Sequence, residues 1–172
     1  NCTDVEAVRL AATETPVPRG FPQASETILF AGRLERRKGI DLLWAAFEVL
    51  AMRNPRVHLV LAGADPERFW LTHEPTERRT AGLVGRVTYL GAIRPDEVHA
   101  CMASASVCAF PSRWEAFGNV ALEAKAAGTA CLVTKGSGFD DFCHDGRDAV
   151  VVESTVSAVL LGLETLLSDR DM

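Results

Sequence analysis

A short basic loop contains residues whose types and spacing could bind an anion. The segment Gly32–Gly39 (GRLERRKG) contains Arg33, Arg36, Arg37 and Lys38, between an apolar run and a helical pattern. A helix start carries partial positive charge, so cations there are unfavourable unless an anion shares the position. Backbone N–H groups, an arginine fork and a lysine charge would together bind a phosphate. The alternative is a solvated turn whose charges face water.

Two glutamates, Glu115 and Glu123, lie eight positions apart after a later apolar run. Spacing alone is weak evidence, because Glu6 and Glu14 share it without following an apolar run or opening a helical pattern. Eight residues of helix span roughly 12 Å, about the reach between the hydroxyls at the two ends of a sugar nucleotide. The diphosphate would then lie at the helix start, near Gly118. For Glu123 alone, the alternative is a surface carboxylate on an amphipathic helix.

Six short apolar runs alternate with helical patterns and must position these residues. They are nearly continuous in apolar residues, which is typical of parallel strands covered on both faces. Such alternation predicts a three-layer, doubly wound, Rossmann-like α/β domain with a six-stranded parallel sheet. Ligands in these folds bind beyond the carboxyl ends of the strands. The runs are Thr27–Ala31, Val57–Ala62, Val87–Leu90, Val107–Phe110, Ala130–Val133 and Ala149–Val152.

The helical patterns complete the predicted fold. The clearest starts at Ile40, has one apolar stripe, and ends near Asn54, which precedes a proline. Residues 1–26 have three prolines and little periodicity, so they are predicted to be a linker or lead-in, with the domain over residues 27–172. The other predicted helices are Pro66–Ala81, Pro95–Ala103, Phe117–Ala127 and Thr155–Leu167.

The amino-acid composition argues against several classes of protein and indicates a cellular compartment. With 18 Lys and Arg against 23 Asp and Glu, the 172-residue chain has a net charge of −5, which argues against general nucleic-acid binding. No apolar stretch approaches the roughly 20 residues of a membrane span. The five cysteines form no CxxC pair, and Cys108 and Cys131 fall inside apolar runs as small hydrophobic residues. A reducing, cytoplasmic compartment is the expectation.

Several segments together resemble retaining GT-B glycosyltransferases of the family 4 type, specifically their C-terminal, nucleotide-sugar-binding domain. The resemblance covers about residues 25–168, and the ordered set of segments is more specific than any one of them. They are the GRLxxxKG loop, Leu61–Gly63 (LAG), Val87–Ile93 (VTYLGAI), Phe110–Thr134 with its E-x7-E motif, GSGFDDF and Asp145-Gly146.

The resemblance implies roles for individual residues. Arg33 and Lys38 would neutralise the donor diphosphate, Glu115 would contact hydroxyls of the transferred sugar, and Glu123 would contact those of the ribose. Arg33, Lys38 and Glu115 are thus the expected catalytic residues. The expected donor-binding residues are Gly32, Gly63, Ile93, Phe117, Gly118, Asn119, Val120 and Glu123.

Two positions depart from the family pattern. The usual EGFG has Ala116 in place of its first glycine, a small change. The usual GGxPE reads Ser137 to Asp141 (SGFDD), with a shorter acid and no proline, so this loop receives no role.

The resemblance also implies partners. The substrate would be a nucleoside-diphosphate sugar such as a UDP-sugar or GDP-sugar, used in polysaccharide or glycan biosynthesis without a metal or other cofactor. An acceptor domain would precede residue 1, so the fragment is expected to bind nucleotide weakly and transfer nothing. Peripheral membrane association of the full enzyme is compatible with this interpretation. Asp169-Arg170-Asp171 matches a DxD pattern but ends the chain, where a solvated tail is expected.

Three other functions remain as alternatives. The chain could belong to another GT-B enzyme, such as an epimerase or a phosphorylase, although these lack the combined GRLxxxKG and E-x7-E motifs. It could also be a stand-alone module that binds nucleotide sugars. A dinucleotide-dependent dehydrogenase fits less well, because Gly136-Ser137-Gly138 lacks a third glycine and does not follow the first strand.

Overall fold

The fold is built on a sheet of six parallel strands, in a computed structural model that describes residues 3–22, 26–76 and 81–168. The strand order is β3-β2-β1-β4-β5-β6, so the order reverses between β1 and β4. The predicted three-layer, doubly wound α/β fold is confirmed. The strands are β1 (Glu26–Ala31), β2 (Val57–Ala62), β3 (Val87–Gly91), β4 (Val107–Phe110), β5 (Ala130–Thr134) and β6 (Val150–Val152).

Helices cover both faces of the sheet. In the described residues they are α1 (Val5–Glu14), α2 (Ile40–Arg53), α3 (Phe69–His73), α4 (Pro95–Ser104), α5 (Asn119–Ala126) and α6 (Val156–Ser168). Helices α2 and α6 pack on one face, and α4 and α5 pack on the other. Short 3-10 helices occur at Arg36–Lys38 and Ala81–Leu83.

The two hydrophobic cores explain the continuous apolar runs. Along β1, Ile28 and Phe30 point into the core under α2 and α6, whereas Leu29 and Ala31 point into the core under α4 and α5. Successive side chains of a strand alternate between faces, so a strand covered on both sides needs apolar residues throughout. The seam between β1 and β4 is narrow, with only the register pairs Ile28–Val107 and Leu29–Cys108.

The helix predicted over Pro66–Ala81 is wrong in extent. The structure forms only α3 in the described part of this range, and residues 77–80 lie outside that part. Asp65 caps α3, because its carboxylate oxygens accept hydrogen bonds from the first N–H groups of the helix at 2.6 and 2.9 Å. Arg68 just before it has a positive φ of 55°, which breaks any helix that starts at Pro66. The helix ends at His73, and its C-cap residue Glu74 precedes a proline.

The segment predicted to be a lead-in contains a helix. Asp4 caps α1 by accepting a hydrogen bond from the backbone N–H of Ala7 at 3.1 Å. The helix packs mainly against α4, and Val8 on its inner side is 2% exposed. The assignment of residues 1–26 as a link to a second domain stays a prediction.

The described cysteines are free and buried. Cys108 and Cys131 are register partners on β4 and β5, and burial raises the pKa of the Cys131 thiol to about 12. A thiol with so high a pKa stays protonated, so these residues pack as small hydrophobic groups, as predicted. None of the described helices is both long and apolar enough to span a bilayer.

Candidate functional site

A cavity of about 340 Å³ lies at the carboxyl edge of the sheet, beside the point where the strand order reverses. Loops after β1, β2 and β3 form one side, and α4 and α5 form the other. This is where doubly wound sheets bind ligands. The lining residues are Ala31, Gly32, Arg33, Lys38, Ala62, Gly63, Ala64, Ala92, Ile93, Val98, Val120 and Glu123.

Backbone hydrogen bonds hold the three loops of the cavity together. The N–H of Gly32 donates to the carbonyl of Ala62 at 2.9 Å, and the N–H of Gly63 donates to the carbonyl of Gly91 at 2.8 Å. Gly63 has a φ of 148°, and a Cβ there would overlap the carbonyl oxygen of Gly32. A glycine is therefore required where the first two loops touch.

Lys38 and Glu115 form the closest charged contact of the site, a hydrogen-bonded ion pair between Nζ and Oε2. Their side chains are only 21% and 13% exposed. Lys38 belongs to the 3-10 helix after β1, and Glu115 lies in the loop after β4. The N–H of Gly138 donates to the carbonyl of Glu115 at 2.8 Å and fixes that loop. The structure thus brings together two predicted catalytic residues that are 77 positions apart.

The other cations of the loop pair with local carboxylates. Arg33 lies 2.9 Å and Arg37 3.5 Å from Glu35, and Arg36 lies 3.7 Å from Asp41. Of these three cations, only Arg33 lines the cavity. The solvated-turn alternative therefore describes Arg36, whose side chain is 78% exposed.

A second ion pair links the loop after β4 to the first turn of α2. Arg113 donates to both carboxylate oxygens of Asp41 at 2.6 and 2.8 Å, and its backbone N–H donates to the carbonyl of Arg37. Burial alone would raise the pKa of Asp41, but the hydrogen bond and charge of Arg113 outweigh it, so this pKa lies below its usual value. The pair holds the cationic loop against the loop that bears Glu115.

Helix α5 starts later than predicted, at Asn119 instead of Phe117. Glu115 lies in the loop before the helix, and Glu123 lies just over one helical turn into α5. Val120 and Glu123 line the cavity from α5. The N–H of Ala121 donates to the carbonyl of Gly118 at 3.0 Å, so among the first residues of α5 the N–H groups of Asn119 and Val120 are available to an anion.

Three predicted donor-binding residues do not line this cavity. The Phe117 side chain is 43% exposed, and its ring lies 5.3 Å from that of Phe142. Gly118 sits between Glu115 and the buried ring of Phe139. Asn119 lines a second cavity of about 390 Å³, together with Thr3, Asp4, Ala7, Val8, His99 and Glu123.

The remaining cavity residues were missed by the sequence prediction. Ala31, Ala62 and Ala64 follow or end the first two strands, so their position at strand ends was a usable signal. Ala92 follows β3 in the same way. Val98 lies inside α4, and its inward direction depends on how that helix packs, which the sequence did not reveal.

Comparison with known proteins decides the family. A family model described as "Glycosyl transferases group 1" matches residues 12–172. The chain belongs to the group 1 glycosyl transferases. Mannosylfructose-phosphate synthase of Agrobacterium fabrum is 32% identical over 147 residues, which are 83% of this chain and 32% of that protein. This glycosyltransferase chain therefore spans about a third of the length of that relative.

Solved structures of GT-B glycosyltransferases share the fold. Sucrose-phosphate synthase from Thermosynechococcus elongatus has a TM-score of 0.77 and 28% identity, covering 97% of this chain and 42% of that one. HepE of Anabaena, solved in complex with UDP-glucose, has a TM-score of 0.72 and 26% identity, covering 83% and 39%. The glycosyltransferase chain thus has the fold of a GT-B C-terminal domain.

Proposed function

We propose that this domain binds a nucleoside-diphosphate sugar in the cavity lined by Arg33, Lys38 and Glu123. The whole enzyme would transfer the sugar to an acceptor with retention of anomeric configuration. The observation that carries the proposal is the meeting of Lys38, Glu115 and the start of α5 at one edge of the sheet. UDP-glucose bound to the related HepE supports the same class of ligand.

Each charged residue has a part in this proposal. Arg33 and Lys38 bind the diphosphate from the β1 side, and the free N–H groups of α5 bind it from the other side. Glu115 accepts hydrogen bonds from hydroxyls of the sugar, and Glu123 accepts them from the ribose. Ile93 and the backbone at Gly63 pack against the nucleoside.

Stabilisation of the leaving group is the proposed source of catalysis. As the glycosidic bond breaks, negative charge develops on the diphosphate, and prepositioned cations and N–H groups lower the barrier. Lys38 is already ordered by Glu115, so little reorganisation is needed when the donor binds. The chemistry proposed for these residues requires no metal ion.

The acceptor site is proposed to lie on a second GT-B domain. This chain spans about a third of mannosylfructose-phosphate synthase and about two fifths of the solved sucrose-phosphate synthase. By itself, the 172-residue chain is expected to bind nucleotide and to transfer no sugar. The free thiols in the described part of the chain fit a reducing, cytoplasmic location.

Calorimetric titration with UDP-, GDP- and ADP-sugars tests the donor site. Arg33→Ala should weaken the best ligand by roughly tenfold, because it removes a charge-assisted hydrogen bond to the diphosphate. The matched control is Arg36→Ala, which removes a cation from the same loop but outside the cavity and should change the affinity little. Equal losses in the two variants, or no loss in Arg33→Ala, would contradict the assignment of Arg33.

A further inference from the structure

The side chain of Glu123 lies between the two cavities and lines both of them. Its carboxylate oxygen Oε2 lies 3.8 Å from Nε2 of His99, which projects from the neighbouring helix α4. The two side chains are 29% and 15% exposed. Within residues 3–22, 26–76 and 81–168, His99 is the only charged or titratable partner in ion-pair range of Glu123.

The surroundings of His99 leave its ring available to Glu123. Among the described residues, no side-chain or backbone group is hydrogen-bonded to the ring. Asp4 lines the same cavity, but its carboxylate already caps α1 through the N–H of Ala7. Glu97 is on the same helix as His99, but its carboxylate pairs with the guanidinium of Arg94 and accepts a hydrogen bond from the Arg94 backbone N–H. These carboxylates therefore have other partners.

We propose that His99 is a positioning residue for Glu123 during donor binding. The Nε2–H of His99 donates to Oε2 of Glu123, which turns the second carboxylate oxygen toward the ribose hydroxyls in the donor cavity. At 3.8 Å the two groups are within ion-pair range but too far apart for a hydrogen bond, so the hydrogen bond of this proposal forms as the donor binds and the pair tightens. The inference rests on the proposed function, in which Glu123 contacts the ribose.

The test compares a ribonucleotide with its counterpart that lacks the ribose hydroxyls. The probe is UDP, GDP or ADP, whichever the unmodified chain binds best, alongside its 2′,3′-dideoxy form. His99→Ala should reduce the preference for the ribonucleotide by about threefold to tenfold, the effect of losing one hydrogen bond. His99→Gln retains an N–H donor near the position of Nε2 and should restore the preference.

A double-mutant cycle separates positioning from folding. In a Glu123→Ala background, His99→Ala should cause no further loss of the ribose preference, because the carboxylate it positions is gone. An equal loss of affinity for both nucleotides in His99→Ala, or no recovery in His99→Gln, overturns the positioning role while the proposed function stands. If the unmodified chain binds no nucleotide, or Glu123→Ala keeps the full ribose preference, the failure lies in the proposed function itself.

Discussion

At the scale of single residues, the pair of Lys38 and Glu115 couples two functions. In the proposed site the lysine binds the diphosphate, and the glutamate binds the sugar. An ion pair joins the two side chains directly, so each compensates the charge of the other and fixes its position. Replacing Lys38 should therefore weaken binding of the diphosphate, whereas replacing Glu115 should weaken binding of the sugar.

Glu115→Gln is expected to reduce the affinity advantage of the sugar nucleotide over the nucleoside diphosphate. The advantage should fall by about threefold to tenfold, because the carboxylate accepts hydrogen bonds from the sugar alone. Lys38→Gln should instead weaken both ligands together, since both have the diphosphate. Parallel calorimetric titrations with the two ligands measure the difference. Equal weakening of both ligands by Glu115→Gln would show that this carboxylate does not contact the sugar.

At the scale of elements, the turn between the basic loop and α2 depends on one close approach. Gly39 has a φ of 74°, and a Cβ there would overlap the carbonyl oxygen of Pro111, in the loop after β4. The turn therefore fits against the β4 loop only because residue 39 has no side chain. The same contact places Lys38 beside Glu115.

Gly39→Ala is expected to lower the free energy of unfolding by about 3 kcal/mol or more, from left-handed strain and steric overlap together. Gly85→Ala is the matched control, because Gly85 has a φ of 73° but open space around the missing Cβ. Gly85→Ala should lower the free energy of unfolding by only about 1 kcal/mol. Urea denaturation of both variants measures the difference, and equal costs would mean that Pro111 can move aside.

The segment before β6 contains a charge cluster that makes stability depend on pH. The backbone N–H of His144 donates to Asp148 at 2.8 Å, and Lys125 lies 3.0 Å from the same carboxylate. The hydrogen bond from His144, followed by that from Lys125, lowers the pKa of Asp148 from 3.8 to about 2. A lowered folded-state pKa stabilises the fold above the unfolded value, and this contribution disappears as the pH falls from about 4 to 2.

Asp148→Asn is expected to lower the free energy of unfolding by about 1 kcal/mol at pH 7, a value discounted because the side chain is 32% exposed. The difference from the unmodified chain should shrink below pH 4 and vanish near pH 2. Asp141→Asn removes an exposed carboxylate and serves as the control. Denaturant unfolding at several pH values measures this, and a pH-independent difference would rule out the charge as its cause.

The elements differ in how well the sequence predicted them. Strands β1 to β6 were found because burial on both faces requires apolar residues throughout. The overlong helix over Pro66–Ala81 missed a local signal, the proline after Glu74, which ends α3. Helix α1 was missed although Asp4 is a suitable cap, because its apolar face matters only once it packs on α4.

The candidate site was predictable in part. The E-x7-E spacing and the basic loop brought out Lys38 and Glu115, because both residues follow strands whose carboxyl ends meet at one edge of a parallel sheet. The pairing of Arg113 with Asp41 and the cavity shared by His99 and Glu123 depend on side-chain directions between elements far apart in the sequence. No local pattern contains that information.

At the scale of the whole molecule, α1 makes the N-terminal segment part of the domain surface. Its inner residue Val8 contributes to the wall of the second cavity and is buried against the domain. Outward-facing Leu10 is 57% exposed. The docking of α1 is therefore expected to depend on its inner face alone.

Val8→Ala should lower the free energy of unfolding by about 1 to 2 kcal/mol, because it removes buried methyl groups. Leu10→Ala should change it by less than about 0.5 kcal/mol. Thermal unfolding followed by circular dichroism compares the two variants. Equal effects would indicate that α1 does not dock on the domain in solution.

The narrow seam between β1 and β4 has a consequence for dynamics. Only two residue pairs join these strands in register, yet the proposed ligand would be bound from both sides of the seam. A bound nucleotide would contact both halves of the sheet and restrain their separation. Amide hydrogen exchange should therefore slow along β1 and β4, beneath the site, as well as in the loops that bind the ligand.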